Sequence, residues 1–216
     1  MRQSQRYRKS LSLYERVANI VLHPLLLTTY AIAYNCFMLI PSNRMIETKS
    51  MLVLGFFLMT AFFPAMIGLL MKRAKVVKKF WHATDKKDRR LLILVDLVFY
   101  TSTLSLTNTF HLPFPLKAIP LTAIVLMLSL LVINLFTDIV DTHFATLAAF
   151  CTHTFLLGAW INLNVITILI ASILLTGIKA AILTERHHVT PNSLLLSIST
   201  GTIASIFTFL FILLST

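Results

Sequence analysis

Hydrophobic and polar positions in this chain do not alternate; they gather into long apolar blocks separated by short polar breaks. Apolar runs cover 17–40, 51–71, 91–107, 118–136, 143–160, 165–183 and 194–215. A helix needs ~20 consecutive apolar residues to cross a bilayer, so each run is read as one span. The expectation is an all-α, polytopic transmembrane bundle of about seven helices, forming a single domain over 1–216. His23-Pro24 interrupts the first run early, and Pro64 lies within the second. Ala31-Ile32-Ala33 has the look of a signal-peptide cleavage site, but the run continues past it and is too long for a signal core.

Composition agrees with a bilayer setting. Hydrophobic residues make up 57% of the chain, charged residues only 12%, and the mean hydropathy is +0.83. A soluble domain carries roughly 25% charged residues. A net charge of +11 in a soluble protein would suggest nucleic acid. In this setting it means basic loops facing anionic membrane lipids, and no nucleic-acid partner is expected. Sixteen of the 19 Lys and Arg fall on one side of the seven-span arrangement: five before residue 17, nine within 72–90, and Lys179 and Arg186. The positive-inside rule makes that side, with the N-terminus, cytoplasmic. Cys36 and Cys151 both sit in apolar runs and give neither a disulfide framework nor metal spacing.

The same side gathers the groups capable of chemistry. The break at 184–193 reads Thr184-Glu185-Arg186-His187-His188-Val189-Thr190-Pro191-Asn192-Ser193. The break at 72–90 supplies Lys86 and Arg89, and the break at 137–143 supplies Asp138, Asp141 and His143. Histidines as nucleophile and acid, aspartates to orient them and cations to grip equatorial oxygens are the parts that phosphoryl transfer to an imidazole requires. Other roles fit the same residues. Aspartates at helix starts cap amides, and Lys and Arg at membrane edges bind lipid head groups with their stems along the bundle. Asp138, Asp141, His143 and the His187-His188 pair also have metal-ligating chemistry, but without a recognisable spacing, so no metal and no cofactor are assigned.

Within the spans, Asp96 stands seven residues after Arg89, which predicts a pairing along one helix face or a proton-relay role. His153 between Thr152 and Thr154 predicts interhelical hydrogen bonds, and Ser197, Gly201 and Ser205 predict a close-packing face on the last helix.

Several stretches together resemble the compact bacterial branch of the type 2 phosphatidic acid phosphatase (lipid phosphate phosphatase) family. They are Val21-Leu22-His23-Pro24-Leu25-Leu26-Leu27-Thr28-Thr29-Tyr30, Asp85-Lys86-Lys87-Asp88-Arg89 with Phe99-Tyr100, Ile133-Asn134-Leu135-Phe136 with His143, and Thr190-Pro191 before a small-residue helix. The resemblance runs over nearly the whole length and keeps the motif order. It implies a metal-independent hydrolase of lipid phosphates or polyprenyl diphosphates that works through a phosphohistidine. It puts His143 on the leaving-group acid and Lys86 and Arg89 on the phosphate clamp. At the nucleophile position, before Thr190-Pro191, this chain has Val189; the expected arginine six residues earlier is Leu183. A register shifted by one residue makes His188 (or His187) the nucleophile and Arg186 the replacement clamp. Without that shift, the resemblance implies an inactive member that binds anionic lipid or serves as a membrane scaffold.

Overall fold

A computed structural model describes residues 23–39, 46–78, 85–137, 140–162, 164–185 and 190–215. Among the described residues there are helices and connecting turns and no strand. The helices are α1 (Pro24–Leu39), α2 (Ile46–Phe57, a π-helical turn Leu58–Phe62, then Phe63–Arg73), α3 (Lys86–Thr109), α4 (Phe114–Phe136), α5 (Thr142–Ile161), α6 (Ile166–Glu185) and α7 (Pro191–Ser215). Each predicted apolar run falls on one of them. Five stretches are long and apolar enough to cross a membrane: Lys49–Arg73, Lys86–Thr109, Phe114–Phe136, Thr142–Ile161 and Pro191–Leu214. The protein is therefore an integral, multi-pass membrane protein. The 16-residue α1 and the 20-residue α6 border residues outside those described and are not among the five.

The helix ends follow the sequence. Asp85 caps α3 by accepting from the Lys87 amide at 3.2 Å, and Asp141 caps α5 by accepting from the amides of His143 (2.8 Å) and Phe144 (3.4 Å). Thr190 accepts from the Ser193 amide at 3.2 Å ahead of Pro191, whose missing N–H costs nothing in the first turn. Asn162 closes α5 in the left-handed conformation, with φ 54°.

Inside α2, Pro64 cannot donate to the carbonyl four residues back and its ring crowds that carbonyl. The chain answers with the π turn, in which the Phe63 amide reaches back five residues to the Leu58 carbonyl. Several hydroxyl side chains within the helices bond locally. The hydroxyls of Thr60, Thr103, Ser172, Thr200 and Thr208 donate to the carbonyl four residues before them.

α4 and α5 form the buried centre, with Leu126, Leu130, Phe144 and Leu147 almost fully enclosed. α7 turns Ile203, Phe207, Phe211 and Leu214 outward, as a lipid-facing helix does. Its inner face is the predicted small-residue stripe. Ser197 accepts the Asp141 amide at 2.8 Å, Gly201 lies against the Ala145 carbonyl, and Ser205 donates to the Ala149 carbonyl at 2.9 Å. Both rows advance by four residues in the same direction, so α5 and α7 run parallel. Small residues let the backbones approach closely enough for these contacts.

Candidate functional site at one rim of the bundle

The starts of α1, α3, α5 and α7 meet the end of α4 at one rim, and side chains from all five tie it together. Arg89 and Arg90 lie in the first turn of α3. Arg89 Nη1 donates to Asn134 Oδ1 at 3.1 Å and to the Val140 carbonyl at 3.4 Å. Arg90 Nη2 donates to the Asn134 carbonyl at 2.7 Å. The last turn of α4 leaves carbonyls without amide partners, and Arg90 supplies one of them with a charge-assisted bond. Arg89 joins that turn to the extended lead-in of α5. Its bond to Val140 fixes a guanidinium three residues from His143.

His143 stands in the first turn of α5, half-buried. Its ring meets that of His23 edge to face, with centroids 5.3 Å apart. His23 precedes Pro24 at the start of α1, where its carbonyl accepts the amides of Leu26 and Leu27 and its Nδ1 accepts the Leu25 amide at 3.4 Å. It acts as the cap of α1 while its ring flanks His143. His23 was read in the sequence only as an interruption of the first span. The signal available there was an imidazole placed at a membrane rim, next to a proline that fixes its backbone.

The aspartates are engaged by backbone. Asp88, only 3% exposed, accepts the Lys78 amide at 2.8 Å and pins the turn after α2 against α3. Asp85 adds an exposed ion pair with Lys78 at 3.7 Å, of a kind worth little in water. Asp141, expected as an orienting carboxylate, directs Oδ1 to the amides of its own helix start, the capping role that the sequence also allowed. Replacing Asp141 by alanine is expected to lower stability by about 1 kcal/mol, with Asp141→Asn recovering most of it. Thermal unfolding in detergent measures both.

Lys86 lies exposed in the first turn of α3, beside Arg89 and Arg90. Asp138, Arg186, His187, His188 and Val189 lie outside the described residues. Asn134, 1% exposed, was not singled out in the sequence as a site residue. Its Nδ2 and the Nε of Arg90 are buried donors without a hydrogen-bond partner among the described residues. Such donors carry a desolvation cost that an acceptor ligand relieves. The N-terminal ends of α1, α3, α5 and α7 add four positive dipole ends to the same rim. Its chemistry is that of an anion-receiving surface with two imidazoles beside it. No family model, curated protein or solved structure matches the chain.

Proposed function

We propose that this rim receives the phosphate head of a lipid phosphate or polyprenyl diphosphate, in a seven-span protein of the bacterial cytoplasmic membrane with its N-terminus inside. The observation that carries the reading is Arg89, held between Asn134 and Val140 and so fixed on the lead-in to the helix that bears His143. Arg89, Arg90 and Lys86 supply the charge, and the Asn134 and Arg90 donors that lack a partner among the described residues supply acceptor-seeking hydrogens. Anionic lipids of the surrounding leaflet are the natural source of the head group.

The family resemblance extends this to hydrolysis. A neutral imidazole of His188 (or His187) attacks phosphorus, the ester P–O bond breaks, and His143 gives its proton to the departing oxygen. Water then cleaves the phosphohistidine, returning the imidazole and releasing phosphate. Val189 at the resemblance's nucleophile position favours a second reading, in which the head group is bound and not turned over.

One experiment separates them: phosphate release and vesicle binding by the purified full-length protein, across phosphatidate, a prenyl diphosphate and a phosphatidylcholine control. Release that falls at least ~100-fold in both His143→Ala and His188→Ala supports hydrolysis. Binding to phosphate-headed lipid without release supports the second reading. Equal binding to phosphatidate and phosphatidylcholine sinks the head-group assignment altogether.

A further inference from the structure

Away from the rim, five hydrogen-bonding side chains converge on a cavity of about 40 Å³ in the middle of the bundle, between α1, α3, α4 and α5. Its walls are mostly apolar, and Thr28, Tyr100, Thr122, Thr146 and His153 also line it. Their hydrogen bonds to helix carbonyls point to one assignment of donors. Thr122 spends its only hydrogen on the Ala118 carbonyl at 2.9 Å. With that hydrogen on the carbonyl, its oxygen, 3.2 Å from His153 Nδ1, is the acceptor of the pair, which assigns the ring proton to Nδ1. In the neutral ring Nε2 is consequently a bare lone pair. It is buried, in a residue 4% exposed, and has no partner among the described residues. Thr146 likewise gives its hydrogen to the Thr142 carbonyl at 2.8 Å and offers the cavity only lone pairs. Thr28 and Tyr100 share one hydrogen bond of 3.1 Å.

We infer that this cavity is an internal binding site for an O–H donor, with His153 Nε2 as its anchor. The wall is rich in acceptors and carries no cation, which disfavours an anion. The volume accommodates about three waters, or the hydroxyl end of one short alcohol entering from the bilayer. Either ligand meets the same need: a hydrogen for Nε2, and further hydrogens for the hydroxyl oxygens around it. The site holds its ligand and does not pass protons onward, because beyond Nδ1 the Thr122 hydroxyl is committed to a carbonyl that cannot take up a proton. This inference stands apart from the rim and from whether any phosphate is bound there.

Full-length protein labelled with ¹⁵N-histidine, in detergent micelles, provides the test. The His153 ring signal is assigned by its loss in His153→Gln. Cross-relaxation between water and that ring is expected, and it should disappear in Ala123→Val, which pushes methyl groups into the cavity from a position 8% exposed. Circular dichroism confirms that the variant is folded. If added ethanol displaces the water signal and shifts His153 alone, the site accepts alcohols; if ethanol leaves it unchanged, the ligand is water. An Nε2 that contacts neither, or a water signal that survives in folded Ala123→Val, overturns the inference.

Discussion

Gly201→Val is expected to be among the most damaging single substitutions in the transmembrane region. A Cβ at this position would run into the Ala145 carbonyl oxygen and crowd the Ala149 amide nitrogen. Both obstacles are backbone atoms of a helix, so no rotamer change relieves them. The only response is separation of α7 from α5, which also stretches the Ser197–Asp141 and Ser205–Ala149 bonds on either side. Overpacking of a fitted interior costs about 1–3 kcal/mol, and the loss of the flanking bonds adds to it. That is a large part of a total stability of ~5–15 kcal/mol. Three other glycines serve as internal controls. At Gly158 the added carbon meets only the Val165 side chain, and at Gly55 and Gly177 it meets open space. Gly158→Ala should therefore cost less than Gly201→Ala, and Gly55→Ala should leave stability unchanged or raise it slightly. Trp160 packs against Phe209 of α7 and Phe114 of α4, with ring centroids 6.2 and 5.1 Å apart, so its fluorescence reports directly on this interface. A Gly201→Val protein that melts with the parent would show that α5 and α7 are not clamped at this point.

The second large effect is expected at Arg89. Arg89→Lys keeps the charge, but a single ammonium on a flexible stem does not reproduce a planar guanidinium held between an amide oxygen and a backbone carbonyl. Hydrogen bonds to charged groups contribute about 1.5–3 kcal/mol each. Loss of one such bond to a phosphate oxygen should weaken lipid-phosphate binding roughly tenfold to a hundredfold. Arg89→Lys is expected to fall nearly as far as Arg89→Ala, whereas Lys86→Ala, at an exposed position, should lose much less. Vesicle flotation at fixed salt measures the ranking, and melting temperatures in a zwitterionic detergent separate lost binding from lost structure. If Arg89→Lys binds as well as the parent, charge alone draws the lipid and the fixed geometry is irrelevant.

Much of the architecture was legible because it is written in local pattern. Apolar runs placed all the helices, Asp141 preceded a helix start, and the four-residue spacing of Ser197, Gly201 and Ser205 foretold a packed face. Thr122 and His153 meet between α4 and α5, as the polar cluster around His153 suggested. Non-local geometry was harder to read. The seven-residue spacing of Arg89 and Asp96 predicted a pairing, yet Arg89 turns toward the rim to reach Asn134 and Val140. Side chains on a helix lean toward its N-terminus, so an arginine in the first turn leans away from a carboxylate two turns further on. Equal spacing told which face the two residues share and nothing of direction. The contact between His23 and His143 joins residues 120 apart in sequence, and no periodicity within either helix encodes it. The π turn depends on how the chain resolves the clash at Pro64, one of several outcomes a proline permits.

The parallel pairing of α5 with α7 also bears on the order in which the protein assembles. α7 follows the other described helices in the chain, and its Ser197 hydroxyl receives the amide of Asp141, the residue that caps the helix bearing His143. While the chain is still emerging from the ribosome, the four long apolar helices before α7 can enter the membrane, but the cap of the helix bearing His143 lacks its Ser197 contact until α7 arrives. A nascent chain stalled before α7 therefore leaves the Asp141 amide without its Ser197 acceptor, so the start of the His143 helix is completed only by the helix made last of those described.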